Sequence, residues 1–105
     1  MVMQTPPRWR IDPEKVWVKC NVIQKSSLPG ELVVQFKVNG DEFTAFVPDS
    51  FVNQSKKALM GFIVADVGQN WQDWLIDLPM ETLTSGPRIR VAESEKSKVI
   101  FKALE

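Results

Sequence analysis

The dipeptide Asn39-Gly40 constrains this chain more than any other pair of residues. A two-residue hairpin turn of type I′ needs positive φ at both central positions, and Asn-Gly meets that need at little steric cost. Placing the turn there sets Val38 opposite Asp41, Lys37 opposite Glu42, Phe36 opposite Phe43, Gln35 opposite Thr44, Val34 opposite Ala45 and Leu32 opposite Val47. One face of the pair is then wholly apolar: Leu32, Val34 and Phe36 against Val47, Ala45 and Phe43. The other face carries Gln35/Thr44 and an expected ion pair, Lys37/Glu42, with Val33/Phe46 as an apolar exception. A slip of one residue would turn the apolar set into water, so the register is specified by the residues themselves. An isolated hairpin is marginal in water, so the apolar face requires a second layer.

The rest of the chain supplies that layer. Val16 to Gln24 alternates, with Val16, Val18, Cys20 and Val22 on one face, which predicts a strand. Pro29-Gly30 predicts a turn into the hairpin, and Pro48-Asp49-Ser50 ends it. Phe51 to Lys57 has room for one helical turn. Ala58 to Val67, with its run Phe62-Ile63-Val64-Ala65, predicts a strand buried on both sides. Further strands are expected over Asp73–Leu78, Arg88–Ala92 and Lys98–Ala103, with loops at Gly68–Gln72 and Met80–Pro87 and a polar turn at Glu93–Ser97.

Turn signals recur every 8–12 residues, the spacing of a small all-β barrel or sandwich. The expected fold is a single all-β domain: a strongly curved antiparallel sheet or small β-barrel of six or seven strands, with at most one short helix. The alternative is an α+β chain with a helix from Ser50 to Met60 ended by Gly61. Residues 1–15 read as an extended N-terminal arm, since Pro6-Pro7 forbids helix, and residues 16–105 as the β domain. An internal echo of two β-β-β units runs through 16–50 and 58–103. The arm carries Val2, Met3, Trp9 and Ile11, which are expected to lie against a barrel face, its own or a partner's. The Val33/Phe46 spot is the expected place for the arm or a partner.

Length suffices for a core without a disulfide or structural metal. The single cysteine, Cys20, cannot form an intrachain disulfide, so a reducing, cytoplasmic setting is expected. Met1 to Lys15 has no apolar stretch of the kind a signal peptide needs. No apolar run approaches the roughly 20 residues of a membrane-spanning helix.

Chemistry is constrained more by what the chain lacks. There is no histidine, which removes the usual general base, the commonest zinc ligand and every Ser-His or Cys-His nucleophile. The glycines at 30, 40, 61, 68 and 86 are isolated and form no phosphate loop. Cys20 falls mid-strand on the apolar face and reads as a packed, inert thiol. Asp66, Asp73, Asp77 and Glu81 remain as carboxylates, with Asp66 and Asp77 on neighbouring strands; solvated face charges are the simpler reading. Neither a cofactor nor a metal is expected.

Net charge is zero but unevenly spread: residues 1–40 sum to +3, residues 41–85 to −5 and residues 86–105 to +2. Opposed blocks of this kind can pair between copies of the chain, and zero net charge weakens the repulsion that keeps proteins apart. Four tryptophans and no tyrosine is an unusual aromatic balance. Trp74 aligns with Ile76 and Leu78 as core, which leaves Trp71 as the more exposed ring or as a lid over the barrel mouth. Arg88 and Arg90 lie two apart on a strand face, ~6.6 Å by the usual rise, a spacing that could straddle phosphates.

The leading expectation is a small non-enzymatic interaction module, self-associating as a homodimer or otherwise, that binds a protein or a small apolar ligand. Its candidate surface is Trp9, Val33, Phe46, Trp71, Arg88 and Arg90. One alternative is single-stranded nucleic-acid binding through Arg8, Arg10, Arg88, Arg90 and Trp71, which zero net charge disfavours. Another is a carboxylate-based enzyme or metal site around Asp66 and Asp77. No membrane role is expected.

Overall fold

A computed structural model describes residues 6–79 and 88–101. The hairpin of β3 (Glu31–Val38) and β4 (Asp41–Pro48) forms in the expected register, from Glu31/Pro48 to Val38/Asp41. Asn39 and Gly40 have φ of 53° and 84°, as a type I′ turn requires. Leu32, Val34, Phe36, Ala45 and Val47 are buried, and the Phe36 and Phe43 rings stack at 5.4 Å. Lys37 and Glu42 stand opposite each other but form no ion pair, and both remain exposed. Two long side chains in water gain too little from pairing to be held together.

The fold is all-β. β2 (Val22–Lys25), β3 and β4 form a three-stranded antiparallel sheet. A larger sheet has the order β8-β7-β6-β1-β9, built from β1 (Arg8–Lys19), β6 (Ala58–Val67), β7 (Asp73–Asp77), β8 (Arg88–Val91) and β9 (Ile100–Phe101), with β5 (Val52–Asn53) also pairing β6. The curled sheets make a half-barrel around Val16, Val18, Val34, Phe36, Leu59, Ile63, Ile76 and Val91, all fully buried.

Several elements differ from expectation, each for a local reason. The strand expected over Val16–Gln24 is divided at Cys20-Asn21. There the Cys20 N–H donates to Lys57 O at 2.7 Å and the Asn21 N–H to Gln35 O at 2.7 Å. One segment thus leaves β6 and joins β3, making the corner between the sheets. The segment expected to be an arm enters β1 at Arg8 and pairs with β6 in the larger sheet. Among the described residues it therefore does not cover Val33 and Phe46, and Phe46 stays 46% exposed. Val2 and Met3 lie outside the described residues.

No helix forms over residues 50–60. A 3-10 turn at Asp49–Phe51 leads into β5, which returns as β6 through a tight hairpin. Asn53 Oδ1 accepts the Lys56 N–H at 3.1 Å and closes that loop, while Lys57 takes φ of 51°. Side-chain capture of a turn N–H offers the backbone an alternative to helix. Near the C-terminus, residues 93–95 form a 3-10 turn and α1 (Lys96–Val99) one helical turn, so the last strand begins at Ile100 rather than Lys98. Its expected end at Ala103 lies outside the described residues, as does the connection Met80–Pro87.

An irregularity at Val64 positions the site described below. Between the pairs Trp9/Ala65 and Glu14/Ile63, β1 uses residues 10–13 where β6 uses Val64 alone. On the other side, Val64 has no counterpart between Ile63/Ile76 and Ala65/Leu75. An extra residue breaks the alternation of faces. Ile63, Ile76 and Ile89 thus form an inner row, whereas Trp9, Ala65, Leu75 and Arg90 form an outer one. Pro13 has no N–H for the ladder, and Ile11 on the looped-out stretch is 97% exposed. Among the described residues no helix is long and apolar enough to cross a membrane.

Candidate functional site at the barrel seam

β8 ends the larger sheet and β4 ends the smaller one. Their unpaired edges face each other across a groove of about 500 Å³, lined by Val38, Asp41, Glu42 and Phe43 on the hairpin side and Arg88 to Arg90 on the β8 side. Val38 and Ile89 are buried and Phe43 half-buried, which makes the floor apolar.

One side chain spans the seam. Asn39 Nδ2 donates to Arg90 O at 2.8 Å, and the Ala92 N–H donates to Asn39 Oδ1 at 3.0 Å. These two backbone groups flank Val91 and point at the free edge of β8, so the Asn39 amide takes the place of a neighbouring strand's peptide groups. Backbone groups alternate in direction along an antiparallel strand. The N–H of Arg90 and both backbone groups of Arg88 consequently point into the groove, and no described strand lies beyond them.

The arginine side chains are committed elsewhere. Arg88 makes a two-pronged contact with Asp77, Nε to Oδ1 at 2.6 Å and Nη2 to Oδ2 at 3.0 Å. Its guanidinium lies 5.1 Å from the Trp9 ring centroid. Trp9 comes from β1, three strand spacings or ~14 Å away, so the two side chains meet above β6 and β7. This cover is why Ala65, on the outer row, has no exposed surface. Arg90 pairs with Asp73 at 2.6 Å and Arg10 with Asp66 at 2.9 Å. Three Arg–Asp pairs thus join part of the acidic middle to the basic ends within one chain. By contrast, Asp41 and Glu42 are exposed and form no ion pair among the described residues.

The residues expected to form a surface do not converge. Arg88 and Arg90 line the groove, and Trp9, 55% exposed, reaches Arg88 over the outer face. Trp71 sits half-buried on the β6–β7 connection with φ of 58°, away from the groove lining. Val33 and Phe46 oppose each other on the outer face of the smaller sheet and are not part of the groove. Trp74 is part-buried against the core, with Lys96 Nζ 4.0 Å from its ring centroid.

Asp66 and Asp77 are on paired strands but not opposite: Asp77 faces Phe62, four residues and ~13 Å along β6 from Asp66. Each is held by an arginine. No cluster of three metal-ligating side chains occurs among the described residues, and Glu81 lies outside them. Cys20 is buried and its thiol is pushed up to about 12 by desolvation.

Sequence reasoning missed Asn39 as a bridge and Asp41, Glu42 and Phe43 as groove residues. Asn39 was legible only as a turn residue, because its partners lie more than 50 positions away. No family model matches the chain, and no curated protein or solved structure matches it.

Proposed function

We propose that this chain is a non-enzymatic interaction module whose recognition surface is the open seam between β4 and β8, and that its partner is an extended segment of another protein. The observation that carries this reading is the Asn39 amide bonded to Arg90 O and the Ala92 N–H. It occupies one end of a strand edge and leaves the remainder beside an apolar floor. Addition of a strand to an exposed edge is a general mode of peptide recognition, with backbone bonds giving affinity and alternate side chains specificity.

The three Arg–Asp pairs support the binding reading over the alternatives. They leave no cationic stripe on this face for phosphates and hold the candidate carboxylates in ion pairs.

The test is selection of linear peptides from a random library against the full chain, followed by titration of the isotope-labelled protein with the selected peptide. Amide shifts are expected at residues 38–43 and 88–92. Shifts confined to another face, such as Trp17 and Phe62, would overturn the reading, as would failure to select any binder.

A further inference from the structure

Resting on that reading, we infer that the occupant of the seam is a basic extended segment, added as a strand along Arg88–Arg90 of β8 with a lysine or arginine set against the acidic rim of β4. Three features of the groove carry this. The first is the supply of backbone groups. Val91 and Ile89 exchange hydrogen bonds with Trp74 and Ile76, as follows from Arg90 O pointing at the free edge. Among the described residues nothing pairs with the Arg90 N–H, the Arg88 C=O and the Arg88 N–H, which face an incoming strand. The second is the base of the groove, where Val38 and Ile89 are almost fully buried and the half-buried Phe43 ring offers packing to an inward-pointing apolar side chain.

The third feature is charge. Arg88 and Arg90 line one wall, but Asp77 and Asp73 neutralise them. Asp41 and Glu42 on the opposite wall form no ion pair among the described residues, although Lys37 stands across from Glu42, so that wall offers carboxylates not held by an arginine. A like-charged acidic segment would be repelled, while a basic one sets a cation against the rim carboxylate on its own face of β4. Asn39 closes the groove at Val91 and limits the added strand to the few residues beside Arg88–Arg90.

The experiment uses the full chain and three labelled peptides at 0.15 M salt, on the order of physiological ionic strength. These are acetyl-Lys-Val-Lys-Val-Lys-Val amide, its Glu-for-Lys counterpart, and the Lys peptide with its central amides N-methylated. Anisotropy measures affinity, and hydrogen exchange reads the Arg90 amide. The Lys peptide is expected to bind at least ~10-fold more tightly than either of the others, about 1.4 kcal/mol, and to protect the Arg90 amide. The exposed double change Asp41→Lys with Glu42→Lys should invert the preference, and Asp41→Asn with Glu42→Gln should abolish it; an unchanged melting temperature shows that both fold.

Equal binding of the N-methylated peptide would overturn strand addition. Equal or tighter binding of the Glu peptide would overturn the charge assignment. If none of the three protects Arg90 while a library-selected peptide shifts residues 38–43 and 88–92, this inference falls and the seam remains a binding site. If no peptide shifts the seam, both readings fall.

Discussion

Asn39→Gly isolates the link across the seam from the turn that it sits in. Glycine accepts φ of 53° at no steric cost, so the type I′ turn survives. The two hydrogen bonds to β8, 2.8 and 3.0 Å long, do not. Both are exposed, which places each at the lower end of the usual range, ~0.5–1 kcal/mol. The extra freedom of glycine in the unfolded chain costs a further ~0.4–1 kcal/mol. The expected total is about 2 kcal/mol, or roughly 10 °C in melting temperature for a domain of this size.

Asn39→Ala loses the same bonds and, in place of the glycine entropy cost, strains the left-handed turn by ~1–2 kcal/mol, so its deficit should reach ~2–4 kcal/mol. Asn39→Asp keeps the acceptor for the Ala92 N–H but sets a carboxylate oxygen against Arg90 O, and should fall near the Gly variant. Urea unfolding followed by tryptophan fluorescence gives these values, and amide exchange at Ala92 locates them. Ala92 should exchange faster in the Gly variant and close to the wild-type rate in the Asp variant. A Gly variant within ~0.5 kcal/mol of wild type, with Ala92 unchanged, would refute the claim that Asn39 holds the seam.

Burial pushes the Cys20 thiol up to about 12, above the ~8.5 of a free thiol. The unfolded chain therefore releases its proton first, and stability should fall by up to ~1.4 kcal/mol per pH unit between about pH 9 and 12; Cys20→Ala should remove that slope in urea titrations at each pH. Alkylation of Cys20 at pH 8 should proceed at the rate of unfolding, and a fast native-state reaction would contradict the burial. Gly61 is tightly packed: a Cβ would lie 3.0 Å from Ile76 Cγ2 and 3.4 Å from Leu78 Cδ2, so these methyl groups would have to shift by a few tenths of an ångström. Gly61→Ala should accordingly cost ~1–3 kcal/mol by chemical denaturation, and a neutral result would mean that β7 can move away. A labelled single-stranded 20-mer at ~50 mM salt should not bind, because such affinity requires cations free to displace counterions; clear binding in anisotropy would show that the Arg–Asp pairs open.

The hairpin was legible to the residue because its determinants are local: a turn dipeptide and flanking alternation. Ala58–Val67 was legible as a β-rich apolar run and forms a strand over those residues, but only one of its faces is fully buried, not both as expected. What could not be read depends on partners distant in sequence. The break after Lys19 follows from bonds to Lys57 and Gln35, and the alternation of Val16 to Gln24 gives no sign of it. The Arg–Asp pairs follow from strand order: Asp77 meets Arg88 only because β7 and β8 pair in that register. The spacing of Arg88 and Arg90 suits phosphates only for free side chains, and the carboxylates that hold them, Asp77 and Asp73, lie 11 and 17 positions away. Val64 likewise sits unmarked in the apolar run 62–65, and only its two neighbouring strands show that it is an extra residue.

An open seam is a hazard, since unpaired strand edges invite pairing with other chains. This chain limits the hazard at both edges. β8 is only four residues long, and Asn39 covers its C-terminal end. β4 ends in Pro48, which has no N–H to offer, and carries the exposed Asp41 and Glu42 where it borders the groove. The edge that remains, Arg88–Arg90, can make few backbone bonds. So short a ladder cannot by itself distinguish one extended segment from another, because every peptide offers the same backbone groups. Discrimination must then come from side chains, at the apolar floor of Val38, Phe43 and Ile89 and at the acidic wall. Protection against indiscriminate edge pairing and selection of a basic, partly apolar strand thus require the same few residues.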